Sequence, residues 1–424
     1  MKNIFFICLC ALFAFTGCAD DDDDLLTGGN VDIDLLPDSK PNDVVNTNVF
    51  DIINLNYPGL EKVKEFYETG EYYYAANALL EYYRTRTNVT NPNLSLINVT
   101  ISEADQTKAD YALEDYRFHV NNFYEDQETL KPYSLKKDGT INWTFSPEGA
   151  SDEYQKQLHR HQWFIPQAKA YRISGNEKYI QSWIEVYNNW IDQNPKPESG
   201  TNTTSWWQLQ VATRINDQVQ LLEYFKNSIN FTPEWLTTFL VEFAEQADFL
   251  VDYPYESGGN ILISQANALA TAGTLMPEFK NAEKWMETGY QILSEEVQNQ
   301  IMSDGWHKEM SLHYHISIVA DFYEAMKLAE ANQLSSKLPS NFTEPLRKAA
   351  EVVMHFTYPN YFSKGSDNVV PMFNDSWSRT RNVLKNTNFK QYVEMFPNSE
   401  ELKYMQTAGN GGTPQGHTPN NDMK

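Results

Sequence analysis

Thr232-Pro233-Glu234-Trp235-Leu236-Thr237-Thr238-Phe239-Leu240-Val241-Glu242-Phe243-Ala244-Glu245-Gln246-Ala247-Asp248-Phe249-Leu250 is the stretch that settles the fold class. Leu236, Leu240, Phe243, Ala247 and Leu250 fall at helical spacing, which gathers them into one apolar stripe. Thr232 followed by Pro233 reads as an N-cap and a first helical residue. Upstream, Tyr179, Trp183, Val186 and Trp190 repeat the pattern. Working outward, the periodicity is helical from about Asn54 to Lys403. It predicts helices over 261–272 with Gly273 as a stop, 281–303 with Gly305 as a stop, and 314–331. No run of alternating residues bounded by hairpin turns competes with this reading.

A weak internal echo organises the helices. Phe66-Tyr67-Glu68-Thr69-Gly70-Glu71-Tyr72-Tyr73 leads into a helix ending near Tyr83, and Ala170-Tyr171-Arg172-Ile173-Ser174-Gly175-Asn176-Glu177-Lys178-Tyr179 leads into one ending near Trp190. Both read as helix, glycine turn, helix with an inner aromatic face. Repeated helical hairpins predict an all-α chain, built as a solenoid or as a closed ring. The pattern leaves those two open.

The chain has 424 residues with a net charge of −24, and 41% of it is hydrophobic. Its length suggests roughly two to three domains. The apolar content excludes wholesale disorder, and the acidic balance excludes a basic nucleic-acid surface. Net charge alone also argues against a polyanionic substrate, although it governs only the far field.

The N-terminus has a secretory layout: Lys2, then the apolar run Ile4–Phe15, then Phe15-Thr16-Gly17-Cys18. This resembles a bacterial lipobox, with residues 1–17 as signal peptide and Cys18 as the lipidated residue. The expected location is therefore the outer membrane, through a lipid anchor. All three cysteines lie in this segment, so the body carries neither disulfide nor thiol chemistry. Asp20–Asp24 reads either as a solvated tether or as an export signal like those of surface lipoproteins. Residues 18–50 read as tether, 51–408 as the helical domain and 409–424 as a linker rich in Gly, Pro and Asn.

Chemistry is sparse in recognisable motifs. His159/His161 and His313/His315 are i, i+2 pairs, which a helix points to different sides, so neither makes a zinc site. No phosphate loop and no nucleophile elbow is present. Two segments stand out. Gly258-Gly259-Asn260 sits where a helix begins, and Asn260 reads either as an N-cap or as a site residue. Asp304-Gly305-Trp306-His307-Lys308-Glu309-Met310-Ser311-Leu312-His313-Tyr314-His315 reads either as a polar turn capping the next helix or as part of a site.

An ordered set of stretches resembles the N-terminal domain of heparinase III-like heparin-sulfate lyases. The set comprises Arg160-His161-Gln162-Trp163-Phe164, Gly175 with Glu177-Lys178-Tyr179, Trp206 with Arg214, Asn230-Phe231-Thr232-Pro233-Glu234, Gly259-Asn260, Pro277-Glu278-Phe279-Lys280, Ile292-Leu293, and Asp304-Gly305 followed by Glu309, Tyr314 and His315. The resemblance implies an incomplete (α/α) toroid followed by a β-sandwich that would begin where this chain stops. It also implies β-elimination at a uronic acid within an acidic, heparan-sulfate-like polysaccharide. Asn260 would neutralise the uronate carboxylate, and Tyr314 would act on the proton or the leaving group. Arg214 is the expected cation, either lowering the Tyr314 pKa from about 10 or binding sulfate or carboxylate. Trp206, Trp163 and His161 would line the cleft, with Arg160, Glu309 and His315 contacting substrate. The cleft is thus expected to be cationic on an acidic body. No cofactor and no metal is expected, and the chain reads as a monomer. Ile261 and Ser264 depart from the family, which commonly carries a His and an acid there. With the missing sandwich, that departure suits a second reading: a non-catalytic glycan-binding lipoprotein.

Overall fold

The computed structural model describes residues 41–121, 124–199, 204–363 and 367–412. Cys18, the signal peptide, Asp20–Asp24 and the tail beyond residue 412 lie outside the described residues. The helices are α1 (Val49–Ile52), α2 (Glu61–Glu68), α3 (Tyr72–Thr85), α4 (Glu103–Tyr111), α5 (Glu153–Leu158), α6 (Phe164–Ser174), α7 (Lys178–Gln193) and α8 (Gln208–Phe225). They continue as α9 (Pro233–Asp252), α10 (Gly259–Leu275), α11 (Ala282–Gln300), α12 (Leu312–Ala331), α13 (Thr343–His355), α14 (Arg381–Val383), α15 (Phe389–Met395) and α16 (Glu400–Gln406). Strands among the described residues are confined to two minimal hairpins, Glu125–Asp126 with Lys131–Pro132 and Lys136–Lys137 with Thr140–Ile141.

The architecture is an incomplete (α/α) toroid. Alternate helices α4, α6, α8, α10 and α12 pack side by side as one layer, while α9, α11 and α13 return along the other. Apolar periodicity drives this. Tyr179, Trp183, Val186 and Trp190 of α7 are all buried, as are Leu236, Leu240, Phe243, Ala247 and Leu250 of α9. Thr232 caps α9 by accepting from the Trp235 amide, with Pro233 in the first turn. The described residues all belong to one compact unit. Packing begins ahead of the expected tether boundary, because Val45, Val49 and Phe50 are already buried.

One expected helix stop is wrong for an instructive reason. Gly273 lies inside α10, not at its end. A Cβ there would fall 2.2 Å from the Ala282 carbonyl oxygen, so the glycine serves the close approach of α11. Helix α10 is buried on both flanks: Ala268, Leu269 and Ala272 join one core cluster, and Ile263, Ala266 and Ala270 join the other. Its N-terminus is therefore held from both sides, and the candidate site lies there.

Candidate active site

Asn260 stands in the first turn of α10, half-buried. It is not the N-cap; Gly258 occupies that position at φ +68°, followed by Gly259 at φ +72°. The capping group comes from another segment. Glu309 Oε1 accepts the Asn260 backbone N–H at 3.0 Å, placing a carboxylate at the positive end of the helix. A Cβ on Gly259 would sit 2.5 Å from that same oxygen, so glycine is what admits the carboxylate. The Asn260 carboxamide itself has no hydrogen-bond partner among the described residues and remains free to donate.

Tyr314 stands in the first turn of α12, where Ser311 is the N-cap. The phenol donates to Asp375 Oδ2 at 2.9 Å. Its pKa is pushed up to about 12, first by burial, then by the Asp375 hydrogen bond and the charges of Asp375, Glu309 and Glu153. This reverses the expected lowering. The nearby cation is Arg160, whose charge senses Tyr314. Arg160 pairs with Glu153 at 2.8 Å and donates Nε–H to Gln210 at 3.3 Å.

Behind these groups runs a buried chain of hydrogen bonds. His315 Nδ1 accepts the His307 amide at 3.1 Å, and its Nε2 lies 2.9 Å from the Ala349 carbonyl. Those partners require the neutral Nε2–H tautomer, and burial accordingly pulls the His315 pKa down to about 4. His307 Nε2 meets Gln300 Oε1 at 2.8 Å, and Gln300 Nε2 donates to the Gly259 carbonyl at 3.1 Å. These bonds tie α12 to the start of α10. His315 is fully buried, so it supports the turn from behind and offers substrate no surface.

The other expected cleft residues are in the core. Trp163 is 0% exposed and stacks on Phe118 at 3.9 Å; Trp206 is 1% exposed. His161 is buried among Trp163, Tyr187 and Trp190. Arg214 is 1% exposed, with its guanidinium 4.3 Å from the Trp190 ring centroid and 5.7 Å from that of Trp206. It donates to Gln246 Oε1 at 2.7 Å and to the His159 and Ser205 carbonyls at 2.8 Å each. Burial lowers its pKa to about 10. Arg214 is a core cation held by π-faces and neutral acceptors, and Tyr314 is not among the groups it touches.

Sequence reasoning missed the loop Asn374-Asp375-Ser376-Trp377-Ser378-Arg379. Trp377 is 58% exposed and stacks on His313 at 5.6 Å. Arg379 Nη2 meets His313 Nδ1 at 3.3 Å. No periodicity marks this loop, and its partner Tyr314 lies 61 residues away in the chain. An aromatic among Asn, Asp, Ser and Arg was the available signal. The expected cationic cleft becomes a mixed one: Arg160, Arg379 and exposed Lys308 stand beside Glu153, Glu309 and Asp375.

An (α/α) toroid carrying an open polar site at the N-terminal ends of two neighbouring inner helices defines the class of this molecule. The chain belongs to the heparinase II/III N-terminus family, whose model matches residues 49–404. It is 90% identical over 424 residues to a heparin-sulfate lyase of Bacteroides thetaiotaomicron, covering all of this chain and 60% of that protein. A heparin-sulfate lyase of Bacteroides stercoris is 34% identical over 386 residues, covering 87% of this chain and 55% of the relative. A crystal structure of heparinase III superposes with a TM-score of 0.86 at 90% identity, over 90% of this chain and 58% of that one. A heparan sulfate lyase of Pedobacter heparinus superposes with a TM-score of 0.69 at 30% identity, over 88% and 56% of the two chains. The chain thus spans somewhat over half the length of the relatives it matches.

Proposed function

We propose that this chain is the toroid part of a polysaccharide lyase that cleaves a uronate-containing, heparan-sulfate-like glycan by β-elimination. The observation that carries the reading is the convergence of an unpartnered Asn260 carboxamide and the Tyr314 phenol around Glu309, at an open rim. The names of the relatives support the substrate class. A neutral amide can donate to a uronate carboxylate with little desolvation cost, which makes the C5 proton more acidic and stabilises the developing enediolate. A base removes that proton, its electron pair forms the C4–C5 double bond, and the C4–O bond breaks. Tyr314, neutral across the working range, gives its proton to the departing oxygen and is reprotonated from solvent between turnovers. Arg160, Lys308 and Arg379 supply local positive potential that the net charge conceals.

The test is the ultraviolet absorbance of the unsaturated uronyl product after incubation with uronate polymers. No increase with any of them, in a protein extended to the full length of its relatives, would sink the reading. Exposed Trp377 favours the second reading, glycan capture without turnover, because sugars present apolar faces to indole. That reading predicts binding that survives both Asn260→Ala and Tyr314→Phe with no product formed. We further propose that Cys18 anchors the protein in the outer membrane as a monomer. Cys18→Ala should release it from the membrane fraction.

A further inference from the structure

Asp375 lies on an exposed loop, yet the loop is sewn to the start of α12 at almost every residue. Asn374 Nδ2 donates to the Met310 carbonyl at 2.7 Å. Ser311 Oγ donates to the Asp375 carbonyl at 2.7 Å and lies 3.0 Å from Ser376 Oγ. The His313 amide donates to Ser376 Oγ at 3.4 Å, and Trp377 and Arg379 close on the His313 ring. These contacts fix the loop without any carboxylate. The Asp375 side chain does something separate: its one hydrogen-bond partner among the described residues is the Tyr314 phenol. A loop that only needed anchoring would gain nothing from an anion at that point, where two other acids, Glu309 and Glu153, already bear on the same phenol.

We infer that Asp375 is a positioning residue for Tyr314, fixing the direction of its O–H and holding it as the neutral phenol, so that Tyr314 acts as proton donor and not as base. The inference rests on the lyase reading for its catalytic consequence, but not for its physical content. The phenol faces Asp375 on the loop, Glu309 ahead of α12, Glu153 on α5 and the cation Arg160 beyond α5, and the Tyr314 and His313 rings meet edge-on with centroids 5.4 Å apart. Three anions against one cation favour the uncharged form, and the carboxylate that accepts the hydrogen bond adds direction to that preference. An amide at position 375 would keep an acceptor in place while removing the charge.

The test is a titration of the whole chain carrying ¹³Cζ-tyrosine, with the Tyr314 resonance identified by its loss in Tyr314→Phe. In Asp375→Asn the resonance should pass from phenol to phenolate about one pH unit lower than in the parent protein. Titration at the same pH in both proteins overturns the inference. Because Asp375 is exposed, the fold should survive; if Asp375→Asn does not melt cooperatively, Asp375→Ser is measured against the same criterion. In the elimination assay the alkaline limb of the rate profile should move down with the resonance, with KM little changed. An unmoved limb alongside a moved resonance would show that Tyr314 is not the donor. Absence of turnover in the parent protein extended to the full length of its relatives would defeat the lyase reading and leave the titration result standing.

Discussion

Two regions of this molecule use the same residue types for opposite ends. Around α7 and α8, an arginine, a histidine and three tryptophans are packed away from water: Arg214, His161, Trp163, Trp190 and Trp206. Near the first turns of α10 and α12, an arginine, a histidine, a tryptophan and a tyrosine stand at the surface or just below it: Arg160, His313, Trp377 and Tyr314. In the first region Arg214, Trp190 and Trp206 donate to groups of the core, while His161 Nε2, Trp163 Nε1 and Arg214 Nη2 are buried without a hydrogen-bond partner. In the second the Asn260 carboxamide and one Trp377 face remain open. Residue type identifies neither as a site, and unused hydrogen-bonding capacity occurs in both; exposure separates them.

The comparison predicts that the first region moves stability and the second moves chemistry. The largest effect is expected for Arg214→Ala, which strips two indole faces of their cation and leaves three buried acceptors unpaired. It should destabilise by about 3–5 kcal/mol, read as the midpoint of denaturant unfolding. An unchanged midpoint would erase the distinction between the regions. Asn260→Ala should lower turnover by roughly 10²–10³-fold, the usual cost of one donor to a developing oxyanion. Its melting temperature should stay within about a degree of the parent, since it caps nothing. A collapse of stability there would make Asn260 structural.

His315 sharpens the boundary, because it is core by burial and site by position. Its folded pKa lies below the unfolded value of about 6.5. The stability it contributes is therefore present above that pH and is lost as pH falls through about 4. His315→Gln, which can still accept from His307 and donate to Ala349, should flatten the loss of stability between those two values by up to about 3 kcal/mol. An identical slope in the variant would mean that His315 is not buried neutral. The smallest effect is expected for Gly259→Ala, about 1–2 kcal/mol from the left-handed backbone alone. The displaced Glu309 carboxylate should still misplace Asn260 and lower turnover. Full activity in that variant would show that the Glu309 cap does not position the amide.

Much of this was legible beforehand. The apolar stripes of α7 and α9, the Thr232-Pro233 helix start and the all-helical class follow from spacing, because a helical face repeats every few residues and needs no knowledge of its partner. The two segments that hold Asn260, Glu309 and Tyr314 were legible because glycines and a polar turn mark where α10 and α12 begin, and the resemblance to the lyases singled out those residues within them. The assignment of Trp163, Trp206, His161 and Arg214 to a cleft failed because an aromatic or an arginine reads the same whether it faces sugar or core. Gly273 failed as a helix stop because close approach of α11 and chain reversal call for the same residue.

The sequence by itself determined the helices, their inward faces and the two helix starts at which polar residues collect, since each depends on neighbours within a turn or two. Only the tertiary structure decided which arginine stands by Tyr314, that Glu309 caps the Asn260 turn, and that Asp375 holds the phenol. The Glu309 and Asp375 pairings join residues 49 and 61 positions apart, and short-range periodicity carries no information across such a distance. They exist because packed helices and a sewn loop bring distant backbone within hydrogen-bond reach.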